Sequence, residues 1–126
     1  MWTIQNYEDV GRRQKKFEKK WPHELKNVFE NLATLLLALN GGTKPEQLKQ
    51  MRFVHSEPAG VLAIDQKGPS KRARMKQFRL YVFPDEEHEV LHTITLGDKG
   101  RQQSDVNFCI GSVKQLQGEI ENGKTG

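Results

Sequence analysis

Cysteine is nearly absent from this 126-residue chain, and Cys109 alone cannot close an internal disulfide. A fold that must be stapled by disulfides, as small secreted domains are, is therefore excluded. Long apolar runs are missing too. The longest, Leu35 to Leu39, is far shorter than the roughly 20 residues a membrane helix needs. The opening MWTIQNYEDVGRR lacks the apolar stretch of a secretory signal, so the expectation is a cytoplasmic protein that does not enter a membrane. There is no phosphate-binding loop, dinucleotide fingerprint, HExxH or CxxC. His23, His55, His88 and His92 show no metal-ligand spacing, so neither a metal site nor a cofactor is expected. Acidic charge is outweighed: formal net charge is +4 and the sequence pI is about 9.3. A basic balance favours an acidic partner, nucleic acid or protein, without choosing between them.

What is present divides into helical and alternating parts. Trp2 to Ile4 suit a short strand. Tyr7, Val10, Gln14, Phe17 and Trp21 recur at spacings of three and four, which predicts a helix with one narrow apolar stripe. From Arg12 to Lys20 its remaining surface is rich in Arg and Lys, opposed over that stretch only by Glu18, and reads either as a solvated face or as a surface for phosphates or an acidic partner. Pro22 suits the first position of a second helix, because its missing N–H would be unpaired there. Leu25, Val28, Phe29, Leu32, Leu35, Leu36 and Leu39 give that helix a broad apolar face, and Asn40, Gly41 and Gly42 end it. Met51 to His55 can be extended. Val61 to Ile64 read as a strand buried on both faces.

The centre of the chain is KQFRLYVFPDEEHEVLHTITLGDK, Lys76 to Lys99, which predicts a hairpin reversing at Pro84 to His88. Period-2 alternation sends Phe78, Leu80 and Val82 to one face and Arg79, Tyr81 and Phe83 to the other. On the second strand Val90, Ile94 and Leu96 share a face, with His92 in register. Just before the hairpin lies a run of cations with no acid among them, Lys67, Lys71, Arg72, Arg74 and Lys76, and Lys99 and Arg101 come after it. Ser104 is placed to cap a last helix, with Asp105 in its first turn and Val106, Cys109, Ile110 and Val113 on its apolar stripe. The predicted architecture is one α+β domain over residues 1–126: an N-terminal helical hairpin on a small antiparallel sheet, followed by a C-terminal helix.

Arg and Lys clustered on one side of a hairpin can bind phosphates and stabilise charge growing on a phosphorane. Cleavage of RNA needs no metal when the ribose 2′-hydroxyl attacks its own phosphate, but it does need a base and an acid. Lysine, tyrosine or histidine can serve. Cys109 on an apolar stripe reads as a small core residue, and His92 as a structural histidine.

FRLYVFPDEEHEVLHTITLGDKGR resembles the C-terminal half of RelE/ParE-superfamily toxins of type II toxin–antitoxin systems, including the HigB branch. The shared features are an arginine-bearing strand (Arg79-Leu80-Tyr81-Val82), a short turn, an apolar strand ending at Gly97, and then Lys99 and Arg101. The helical hairpin from Tyr7 to Leu39 stands in the family's order. The resemblance implies a RelE-like fold and a metal-independent mRNA endonuclease that acts with the ribosome to inhibit translation. It implies neutralisation by a cognate antitoxin protein. By position, the resemblance matches Arg79 to the family's strand arginine, Lys99 or Arg101 to the basic residue after the glycine, and Lys67 and Arg74 loosely to its preceding basic residues. Together with the residues' own pattern, the catalytic candidates are Arg79, Lys99, Arg101 and Tyr81, and the RNA-binding candidates are Lys67, Lys71, Arg72, Arg74 and Lys76. Some members inhibit DNA gyrase instead, and the alternative reading is such an inhibitor, or a module that binds nucleic acid or protein. Two departures stand out. GDKGRQQSDV is longer than the family's glycine-basic segment, and no tyrosine comes after it; the nearby aromatic is Phe108.

Overall fold

A computed structural model describes residues 1–66 and 76–125, with side chains described through residue 118. The chain runs β1 (Thr3–Asn6), α1 (Glu8–Glu18), α2 (Pro22–Asn40), β2 (Val54–Ser56), β3 (Leu62–Asp65), β4 (Phe78–Asp85), β5 (Val90–Asp98) and α3 (Gln102–Thr125). Short 3₁₀ turns sit at Pro45–Gln50, Pro58–Gly60 and Lys99–Arg101. The five strands form one open sheet in the order β1-β5-β4-β3-β2. The α+β class is borne out.

The two helices of the hairpin follow their apolar periodicity. Pro22 is the first residue of α2, and Leu25, Val28, Leu32, Leu35 and Leu39 are its buried face. Val10 and Phe17 anchor α1. Together these side chains cover one side of the sheet, where Leu62, Ile64, Phe78, Leu80, Val82, Leu91 and Leu96 meet them. The other side is covered by α3 through Val106, Cys109 and Val113, packed on Val61, Ala63, Tyr81 and Ile94. β3 is thus buried on both faces, as its unbroken apolar run requires.

Four expectations need correction. The sheet is mixed, because β1 runs parallel to β5 at its edge while the other pairs are antiparallel. Two whole helices separate β1 from the remaining strands, so no tight hairpin forces it to run antiparallel. Next, Ile94 and Leu96 do not share a face. The register shifts between Tyr81 and Val82, which pair with Thr95 and Thr93, so Ile94 is the extra residue of a β-bulge. Ile94 then packs under α3, while Leu96 joins the core beneath α1 and α2. Third, Ser104 does not cap α3. The turn at Lys99–Arg101 feeds directly into a helix that begins at Gln102, leaving Ser104 exposed inside it. Fourth, Tyr81 does not face outward: α3 covers it completely.

A charged joint locks α1, β5 and α3 together. Arg13 Nη1 donates to the Leu96 carbonyl at 3.1 Å and to Asp105 Oδ1 at 3.0 Å. Its Nε lies 3.2 Å from Asp9 Oδ2, which also accepts from Thr95 Oγ1 at 2.6 Å. Burial raises the Asp9 carboxyl, but the Thr95 hydrogen bond and the guanidinium groups of Arg12 and Arg13 outweigh it and hold the group below its ordinary range. Asp105 goes the other way: its burial prevails over Arg13 and raises its pKa.

Candidate active site

Three adjacent strands set up the site. Antiparallel register places Asp65 across from Arg79, and Arg79 across from Gly97. Asp65 is the last residue of β3 and is held from both sides. Its N–H donates to the Phe53 carbonyl at 2.8 Å, and its own carbonyl accepts from Asn31 Nδ2 of α2 at 2.8 Å. The backbone that carries the side chain is therefore fixed before any charge contact is considered.

That carboxylate uses both oxygens. Oδ1 accepts from Arg79 Nε at 3.0 Å, and Oδ2 lies 2.6 Å from His55 Nε2 on β2. On its far side Arg79 Nη1 is 3.9 Å from Glu57 Oε1. The result is a row: His55, Asp65, Arg79, Glu57. The guanidinium side chain is 15% exposed and the imidazole 37%. With Asp65 accepting from Nε2–H, Nδ1 is the imidazole nitrogen left for another partner. Arg79 Nη2 has no hydrogen-bond partner among the described residues.

Glu57 also forms one wall of an open cleft of about 450 Å³, whose other walls include Pro58, Lys99, Gln102 and Gln103. The expected catalytic residues thus separate. Arg79 lies 3.9 Å from Glu57, and Lys99 lines the cleft with Glu57. Arg101 turns instead toward Asp105, 4.0 Å from Nε to Oδ1. Tyr81 is buried, its hydroxyl has no hydrogen-bond partner among the described residues, and burial followed by the Asp105 charge pushes its phenol up to about 12. A phenol so placed is poorly suited to exchange protons with a substrate. Lys76 lies with Asp98, at 3.8 Å, and over the Trp21 ring, 4.6 Å from its centroid. Lys67, Lys71, Arg72 and Arg74 lie outside the described residues.

Strand alternation identified Arg79 but missed His55, Asp65 and Glu57. Nothing local marks them; the only hint is a carboxylate, Asp65, ending an apolar strand. Cys109 is fully buried, and burial raises its thiol to about 12, as suits a core residue. His92 is buried between Tyr7 and Phe83, at centroid distances of 6.0 and 6.3 Å, with Nδ1 lacking a partner among the described residues. No described helix is long and apolar enough to cross a membrane. No family model, curated protein or solved structure matches this chain.

Proposed function

We propose that this chain is a RelE/ParE-like toxin of a toxin–antitoxin system: a metal-independent endoribonuclease that cuts mRNA at the ribosome, in the cytoplasm. The observation that carries this reading is the row His55–Asp65–Arg79–Glu57, which offers a proton acceptor, a cation and a proton donor across three adjacent strands. The element order also agrees with the family resemblance: a strand, a helical hairpin, then the arginine-bearing strand and its partner.

The Glu57 carboxylate takes the proton of the ribose 2′-hydroxyl. The 2′-oxygen attacks the adjacent phosphorus, and the new bond forms as the bond to the 5′-oxygen breaks. Protonated His55 gives that leaving oxygen its proton, so the products are a 2′,3′-cyclic phosphate and a 5′-hydroxyl. Arg79 holds the phosphoryl oxygens while negative charge accumulates on them. Asp65 is a positioning residue for both His55 and Arg79. Lys99, which lines the same cleft as Glu57, neutralises a neighbouring phosphate. The partner protein is an antitoxin whose acidic segment covers part of the basic surface, at Arg72, Arg74 or Arg79; complementary charge speeds and orients that association.

The test is primer extension on mRNA from cells expressing the parent, His55→Ala, Glu57→Gln and Arg79→Ala, with folding checked by circular dichroism. Discrete breaks in the parent that vanish in the folded variants support the nuclease. Intact mRNA in cells arrested by the parent removes it. One observation favours the second reading, a gyrase inhibitor or binding module: Arg79 already faces two carboxylates before any substrate arrives. Damaged DNA with intact mRNA is the result that reading requires.

A further inference from the structure

We propose that the C-terminal end of α1, together with Trp21, is a docking surface for the backbone of single-stranded RNA, separate from the His55–Arg79 row and independent of the nuclease reading. Lys15, Lys16, Lys19 and Lys20 are all exposed there. None has an ion-pair partner among the described residues, whereas Arg12, Arg13 and Lys76 each have an acid. Lys15 and Lys16 lie in the last turn of α1, which ends at Glu18, and Lys19 and Lys20 lie in the turn that follows it, so the four cations are gathered at one end of the helix.

Aromatic surface lies among these cations. Lys20 Nζ sits 4.9 Å and Lys76 Nζ 4.6 Å from the Trp21 ring centroid, and Lys16 Nζ 5.6 Å from that of Phe17. Trp21 is only partly buried, and its packing on Phe17 and Phe78, at 6.2 and 5.4 Å, holds it in place. Aromatic surface flanked by cations is the pattern that binds single-stranded nucleic acid without reading its sequence. Lysines at a helix C-terminus also favour the helix dipole, but one or two satisfy that effect, which fades within the last turn. Four unpaired lysines exceed it. An acidic protein segment would find the charge but would make no use of the aromatic surface, so a polynucleotide is the better fit.

The probe is a 2′-O-methyl oligouridylate, which has no free 2′-hydroxyl and cannot be cleaved by the proposed chemistry. Its affinity is measured against salt for the parent and for K15Q/K16Q/K19Q/K20Q, and the Trp21 indole N–H is followed by NMR. The parent is expected to bind, with the Trp21 signal shifting. The variant should bind roughly tenfold or more weakly, and its log–log salt slope should be shallower by about 3, as four lost phosphate contacts dictate. These surface changes leave the core intact, which an unchanged melting temperature verifies. Failure of the parent to bind, an unchanged slope in the variant, or tighter binding of a polyglutamate peptide to the same lysines overturns the proposal. Because the probe is uncleavable, none of these results depends on whether the chain is a nuclease.

Discussion

Asp65 and Arg79 face one another across the β3–β4 ladder, with Oδ1 and Nε 3.0 Å apart, and Asp65 carries His55 on its other oxygen at 2.6 Å. One carboxylate therefore sets the orientation of two groups that the proposed chemistry uses. Asp65→Asn keeps the shape but removes the charge. The expected cost is about 1–3 kcal/mol, because Arg79 is left partly buried with Glu57, at the longer distance, as its remaining carboxylate. Urea unfolding measures that loss. RNA cleavage should fall more than tenfold in the folded variant, and unchanged cleavage would show that Asp65 positions nothing.

Tyr81 gives a sharper contrast. Its hydroxyl is buried without a partner among the described residues. Tyr81→Phe removes an unpaired polar atom at nearly constant shape. Stability should stay level or rise by up to about 1 kcal/mol, and growth inhibition should match the parent. A stable Phe variant that had lost all inhibition would return Tyr81 to the site.

Gly97 pairs with Arg79 and lies against the start of α3. A Cβ built there would overlap Asp105 Oδ2 and come within 3.3 Å of Arg13 Nη1. Gly97→Ala must therefore push apart the joint between α1, β5 and α3. We expect a loss of about 1–3 kcal/mol, typical of overpacking a tight interior, read as a lower denaturation midpoint.

His92 makes stability depend on pH. Burial lowers its pKa below the ordinary value of 6.5, so the folded state favours the neutral ring. The unfolded chain binds the proton more readily. The stability His92 contributes is therefore complete above pH 6.5 and is lost as pH falls through the depressed folded value. His92→Phe, which suits a site between two rings, should flatten the decline in melting temperature on acidification from pH 7 to about 5. An identical decline in both proteins would assign the acid sensitivity to other groups.

Periodicity was enough to show α2 from Pro22 to Asn40 and the hairpin from Phe78 to Asp98. Those signals are local: an apolar residue every third or fourth position, or every second, gains burial only if the chain coils or extends accordingly. Alternation also placed Arg79 opposite Phe78 and Leu80. It could not say whether that second face would be open. Packing of α3 decided this, burying Tyr81 and leaving Arg79 at the margin. The Ile94 bulge was equally hidden, because one extra residue turns the rest of a strand to the other face and leaves its composition untouched. The His55–Asp65–Arg79–Glu57 row joins residues from β2, β3, β4 and the turn after β2, across separations of 10 and 14 residues for its two closest contacts. Strand order and register alone bring them together, and neither is written in any local stretch of the sequence.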